Sequence, residues 1–299
     1  VPGEITAVLA ALCYSLSYVL LRKGQVTSAP KDNGLLPILT ISFVTLSGSV
    51  AAQWLADPED LDHVALAAIY FCMASGLVGT LMGRLALYTA ISRVGATRGI
   101  VVKTLSPAIT TILAMLLLDE DIHAVDGIGM VIIIIGILVL FPEQHRTMFR
   151  GRAFMFFQQG IVVAVAAAIF QSIGHIFRKL GMGFDMDPVL AAAIDITTAF
   201  VAYTAYLMGR RQLTSLVTDY VRNRNLYIVA AGFTSAAGVL LFFNAVAEVP
   251  VSHVSVILAT EPLFVALFST LLLHNVERLS LWTLCSAVLV VTGVVVMSL

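Results

Sequence analysis

Residues 86–107 read ALYTAISRVGATRGIVVKTLSP, and residues 241–262 read LFFNAVAEVPVSHVSVILATEP. A shift of 155 pairs Tyr88 with Phe243, Ala90 with Ala245, Val94 with Val249 and Pro107 with Pro262. Each stretch then runs to a leucine triplet, at 116–118 and 271–273. A shift of 157 continues the match, pairing Glu120 with Glu277 and Gly136 with Gly293, and, at the other end of the unit, Ser15 with Ser172 and Gly24 with Gly181. Any one match among apolar residues is expected by chance. A sustained register that includes a matched mid-segment proline indicates a duplication. The chain divides accordingly into a first repeat at 1–141, a connecting stretch at 142–156 and a second repeat at 157–299.

The composition says what solvent surrounds those repeats. Of the 299 residues, 59% are apolar and 12% charged, whereas a soluble domain is about half apolar and a quarter charged. A surface so poor in charge suits lipid. A helix needs roughly 20 apolar residues to cross the hydrocarbon core, and apolar segments fall at 5–22, 36–56, 64–91, 97–118, 124–141, 157–178, 189–208, 226–246, 252–273 and 280–298. Runs such as MVIIIIGILVL (130–140) lack the alternation of a barrel strand, so helices are predicted. The opening VPGE has no basic stretch of a secretory leader, and the first segment is read as a true span. The fold class is therefore all-α and polytopic, with ten transmembrane helices in two five-helix repeats. An odd number of spans per repeat inverts the second relative to the first. Inverted repeats place a binding site near the midplane at their interface, reached from alternating sides.

Several function classes drop out. No Lys/Arg block points to nucleic acid, and Cys13, Cys72 and Cys285 lie in apolar runs without metal or disulfide spacing. The connections, such as DPEDLDH (57–63), DEDIH (119–123) and PEQHRTMFRGR (142–152), leave no room for a soluble catalytic domain. Neither HExxH nor GxSxG occurs, nor a nucleotide-binding motif. A channel would show a filter loop, and none is visible. No cofactor is expected, and the oligomeric state is not written in the sequence.

Function must then be built from polar groups inside the spans, which are expensive in lipid. Lys103 lies in the fourth segment, on one face with Gly99 and Pro107. Pro107 frees the carbonyl of Lys103 and kinks the helix there. Glu261 precedes Pro262 at the matched place in the ninth segment, so cation and anion flank one cavity or form a structural pair, Lys103–Glu261 or Arg84–Glu261. Arg84, with Tyr88 one turn on, offers a planar fork to a carboxylate or pairs with Glu261. The helix around it carries Gly79 and Gly83, a close-packing face. Tyr14 and Tyr18 in the first segment match Gln171 and His175 in the sixth, as cavity walls or as helix–helix hydrogen bonds, and Asn244 in the eighth has the same two readings. Asp195, in the seventh segment, reads as the partner of a lipid-facing cation or as a gate, and His253 reads as a wet, uncharged histidine near an interface. The candidate substrate-binding set is Tyr14, Tyr18, Arg84, Tyr88, Lys103, Gln171, His175, Asn244 and Glu261. Glu261 is the coupling candidate because burial and a nearby cation pull a carboxylate in opposite directions.

Pro107 and Pro262, each followed by a small, apolar stretch, an acidic residue (Glu120, Glu277) and a late glycine (Gly136, Gly293), resemble the drug/metabolite transporter superfamily of the EamA-like type. The resemblance covers nearly the whole chain. Where relatives often carry Trp-Gly, this chain has Tyr14-Ser15. The resemblance implies a central cavity lined by the first, third, fourth, sixth, eighth and ninth helices, with the fifth and tenth outside it. It implies an integral protein of a bacterial inner membrane, exporting its substrate with both termini in the cytoplasm. The charge count implies the reverse orientation. Odd loops hold thirteen Lys/Arg and even loops two, Arg178 and Lys179, with Arg84 and Lys103 within the membrane. The function expected is secondary active transport of a small polar or amphipathic metabolite, an amino acid or related zwitterion, with lipid around it and protons as the coupling ion. Export of multiple cationic drugs is the alternative.

Overall fold

A backbone surrounded by lipid has no water to bond to, so its amides and carbonyls close on themselves as helix. The computed structural model describes residues 2–28, 30–56, 65–118, 124–139, 152–273 and 281–297, and among these no strand occurs. In chain order the helices are α1 (Gly3–Ser28), α2 (Leu35–Ala56), α3 (Leu66–Val94), α4 (Ala96–Leu118), α5 (Ala124–Leu138), α6 (Arg152–Met182), α7 (Pro188–Gly209), α8 (Leu213–Arg222), α9 (Leu226–Glu248), α10 (Val251–Leu272) and α11 (Leu281–Met297). Eight of them are long and apolar enough to cross a membrane. The apolar helices α5 and α11 have 15 and 17 residues, about 22 and 26 Å at the helical rise. Glu120, Glu277 and the acidic stretches 57–63 and 119–123 lie outside the described residues.

Local signals set several boundaries. Asp187 caps α7 by accepting from the Leu190 amide at 2.9 Å, ahead of Pro188. Asn225 caps α9 by accepting from the Tyr227 amide at 3.0 Å. α3 turns directly into α4 through Gly95, whose φ of 92° is open to glycine and strained for other residues. One helix arises where a polar connection is expected. α8 places Leu213, Leu216 and Tyr220 on one face against the bundle. Tyr220 donates to Asp32 and Lys31 pairs with Asp219 at 2.6 Å, which fastens α8 over the α1–α2 turn. Burial, with the Asp32 carboxylate beside it, holds the Tyr220 hydroxyl far above its usual titration range.

Packing is reciprocal between the two parts of the chain. α1 lies along α9 and α6 lies along α3, while α2 faces α7, α4 faces α10 and α5 faces α11. The first two pairs run antiparallel: Gly24 meets Ile228 and Gly238 meets Tyr14, while Gly181 meets Cys72 and Gly83 meets Gln171. So does the last, with Gly136 against Val290 and Gly293 against Ile133. α3 and α6 approach backbone to backbone, so that a Cβ at Gly79 would stand 2.7 Å from the Gly174 Cα. Large apolar side chains, including Leu55, Leu116, Val162 and Leu271, point outward. Arg84, Lys103, Arg178, Asp195 and Glu261, with hydroxyls such as those of Ser15 and Ser172, point inward. That is the distribution lipid favours, since between helices small residues and polar contacts supply cohesion that hydrocarbon cannot.

Candidate functional site

Two helices break where the prolines predict. α4 consists of Ala96–Lys103 and Ser106–Leu118, and α10 of Val251–Leu258 and Glu261–Leu272. Each proline sits in the first turn of the second piece, the position where its missing N–H and fixed φ cost least. Each break lies about 12 Å, eight residues, from its helix start. Lys103 ends one piece and Glu261 begins another, so each charge sits at the half-helix terminus whose dipole it complements. The two meet at 2.7 Å, Lys103 Nζ to Glu261 Oε2. Serines from the opposing part hold both breaks. Ser15 donates to the Glu261 carbonyl at 3.3 Å, and Ser172 donates to the Ser106 carbonyl at 3.0 Å, with the Ser106 hydroxyl 2.9 Å away.

Beside the Lys103–Glu261 pair lies a narrow, partly enclosed cavity of about 30 Å³, with room for water but not for a metabolite in this state. Tyr14 and Tyr18 form one wall, stacked with ring centroids 6.2 Å apart. The Lys103 ammonium stands 5.5 Å from the Tyr18 ring. Gln171 and His175 form the facing wall, and His175 Nδ1 is 3.4 Å from the Ser255 hydroxyl. Arg84 enters from α3, 6% exposed, and its Nη1 has no hydrogen-bond partner. Glu261, 1% exposed, likewise has an unpartnered Oε1. No ion pair joins Arg84 to Glu261 among the described residues.

The structure thus gathers Tyr14, Tyr18, Arg84, Lys103, Gln171, His175 and Glu261 around one space. Two members of the sequence-derived set lie elsewhere. Tyr88 is buried one turn beyond Arg84, in the core outside the cavity wall. Asn244 is half-buried, and its Nδ2 donates to the Leu240 carbonyl of its own helix at 2.8 Å.

Two further expectations need correction. Arg178, counted among loop cations, is buried within α6 and lines the cavity. Asp195, expected at the periphery, is fully buried and is the counter-ion of Arg178, with Nε to Oδ1 at 3.2 Å. Ser75 and Thr80 also donate to Asp195, and Arg178 Nη2 donates to Thr80 at 2.7 Å. This network ties α6 and α7 to a wide π turn of α3 at Gly76–Met82, where the chain bulges between Ser75 and Arg84. π turns inside helices accompany functional sites. The sequence did hold a signal: Gln171, His175 and Arg178 recur at helical spacing on one face, Arg178 being the last residue of the sixth segment. Lys179, the other cation counted in that loop, donates to the carbonyls of Val246 and Val249 at the end of α9.

A bundle of apolar helices, two of them broken around a buried charged cavity, defines a membrane transporter of the drug/metabolite type. The chain belongs to the EamA-like transporter family, whose model matches residues 1–141 and 158–299. Among 28 matching chains of solved structures, a crystal structure titled only as that of a protein superimposes with a TM-score of 0.67 at 14% identity, covering 97% of this chain and 94% of the other. Likeness at that identity carries the fold. No curated protein matches the chain.

Proposed function

We propose that this protein is a secondary active transporter that exports a small zwitterionic metabolite, an amino acid or related compound, across a bacterial inner membrane. In this reading α5 and α11 complete two inverted five-helix repeats, and rocking of one against the other opens the cavity to each side in turn. The reciprocal, antiparallel packing of the helices supports that arrangement.

The observation that carries the reading is the pair of unpartnered atoms, Arg84 Nη1 and Glu261 Oε1, on residues lining one cavity. A buried polar atom left unsatisfied costs about 1–3 kcal/mol, more when charged. Once rocking has widened the cavity, a cargo with a carboxylate for the guanidinium and an ammonium for the carboxylate relieves both costs. Tyr14 and Tyr18 then face its apolar part, with Gln171 and His175 opposite. Glu261 is the coupling group, alternating between the cargo and a proton, with Lys103 as its resting partner. Three cations, Arg84, Lys103 and Arg178, line the cavity with Glu261, and Asp195 stands behind Arg178, which disfavours cationic drugs.

Reconstituted protein tests the reading. Labelled zwitterion on one side of the liposome is expected to be driven uphill by unlabelled zwitterion on the other, which a channel cannot do. An imposed pH gradient should also drive uphill transport in the native protein but not in Glu261→Gln. Uphill transport by that variant would remove Glu261 from the coupling role, and absence of trans-stimulation in the native protein would reject a carrier.

A further inference from the structure

A zwitterion uses Arg84 and Glu261 but leaves Arg178 without a task, although Arg178 lines the same cavity. Asp195 cannot serve the cargo, since it is fully enclosed and already accepts from Ser75, Thr80 and Arg178. Its effect is on Arg178. The carboxylate fixes Nε, Thr80 fixes one Nη2 proton, and the rings of Phe242 and Phe243 stand 5.1 and 5.5 Å from the guanidinium carbon. The remaining N–H donors of that planar fork are held in place for whatever occupies the cavity.

Charge points the same way. Arginine does not shed its proton inside a protein. With both carboxylates ionised, Arg84, Lys103 and Arg178 outnumber Glu261 and Asp195 by one positive charge. A neutral zwitterion leaves that excess in place, in a low dielectric where an uncompensated charge is most costly. We propose that the cargo carries a second anionic group, met by Arg178, so that the substrate class is an amino acid with an acidic side chain and a net charge of −1. Asp195 is the positioning residue for Arg178. This rests on the zwitterion reading of the same cavity.

Glutamate and glutamine are nearly the same shape and differ in this one charge, so they make the test. Binding of glutamate, glutamine and lysine to the purified full chain is measured by calorimetry, with thermal shift as a second readout. Glutamate is expected to bind at least about tenfold more tightly than glutamine, the worth of one charge-assisted hydrogen bond, and lysine not measurably. In the paired variant Arg178→Gln/Asp195→Asn, which removes both charges together and strands neither, the glutamate-to-glutamine ratio should fall close to one. Equal binding of glutamate and glutamine to the native protein overturns the second anion contact and leaves the zwitterion reading standing. A ratio that survives in the paired variant overturns the role of Arg178. If none of the three binds, the zwitterion reading fails and this proposal fails with it. Should the paired variant not fold, the ratio in the native protein still decides the charge of the cargo.

Discussion

The two broken helices share a backbone and differ in what they carry. In α4 and α10 the break falls at matched places, Thr104–Leu105 and Ala259–Thr260, each followed by a proline one residue into the next piece. Matched serines, Ser172 and Ser15, reach across to the residue before each proline. The charged positions are not matched. Lys103 corresponds to Leu258, and Glu261 corresponds to Ser106. The duplication therefore supplies a symmetrical mechanical frame, and divergence has written one cation into one break and one anion into the other. In the proposed cycle symmetry serves the motion, and chemistry sits where symmetry fails.

That contrast is tested most severely at the unmatched position. Replacing Glu261 with leucine strands Lys103 in a buried site, and removing one member of a buried pair costs about 3–5 kcal/mol. Replacing its counterpart Ser106 with alanine removes one hydroxyl contact, worth about 1 kcal/mol. A large fall in melting temperature with complete loss of transport is expected for Glu261→Leu, and a small shift for Ser106→Ala. Equal effects would mean that the breaks are equivalent and the charge incidental.

The second ion pair sharpens the comparison. Lys103–Glu261 spans the two breaks and leaves Oε1 open, whereas Arg178–Asp195 joins unbroken parts of α6 and α7 and has its carboxylate fully engaged. An open carboxylate suits a group that must change partners, and a closed one suits a fixture. Asp195→Asn keeps the shape but replaces one acceptor oxygen with a donor and removes the counter-charge of Arg178. A loss of about 2–3 kcal/mol is expected, read as a lower melting temperature. Glu261→Gln, whose carboxylate is half engaged, should lose less stability than Asp195→Asn yet more transport.

The two pairs also mark how far the sequence could be read. The breaks were legible because proline imposes its constraint locally, and Glu261 was legible because it touches one of those prolines. Arg84 and Lys103 stood out as charges in the middle of apolar runs. Arg178 was hidden by position: with Lys179 it forms a basic pair at a segment end, and hydropathy alone assigns such a pair to a loop. Asp195 was hidden because its meaning depends on Arg178, seventeen residues away in sequence and on another helix. Asn244 and Tyr88 went the other way. Each has the right residue type on a plausible helix, but the face it occupies is set by packing angles that periodicity does not give. α8 was missed because its apolar face is only Leu213, Leu216 and Tyr220, and its anchors, Lys31 and Asp32, lie in the α1–α2 turn.

A smaller effect is expected at the helix crossing that brings Arg84 and Arg178 to one cavity. A Cβ on Gly174 would meet the Gly79 backbone at 2.4 Å, whereas a Cβ on Gly48 meets nothing within 4 Å. Gly174→Ala should force α3 and α6 apart at a cost of about 1–3 kcal/mol and weaken cargo binding, because both guanidiniums move. Gly48→Ala should leave both melting temperature and binding in place. If the two variants behave alike, the crossing is loose and does not position the arginines.

The smallest difference lies between the two serines, and it bears on whether the frame is symmetrical in energy as well as in geometry. Ser172 lies 3.0 Å from the carbonyl and 2.9 Å from the hydroxyl of Ser106, its one proton shared between that carbonyl and the Ala168 carbonyl of its own helix at 2.7 Å. Ser15 makes one contact, 3.3 Å to the Glu261 carbonyl. Interhelical hydrogen bonds in a membrane bundle are worth about 0.6–2 kcal/mol, and the longer bond belongs at the lower end. Ser172→Ala should therefore lower the melting temperature more than Ser15→Ala. In transport the order should reverse. In the proposed cycle the α10 break carries the carboxylate that exchanges partners, so a weak latch there would let the backbone around Glu261 shift between states, while the stronger latch at Ser106 would hold the α4 break as its counterpart moves. Ser15→Ala changing the transport rate while Ser172→Ala changes mainly stability would assign the moving half of the frame to α10. The opposite result would assign it to α4.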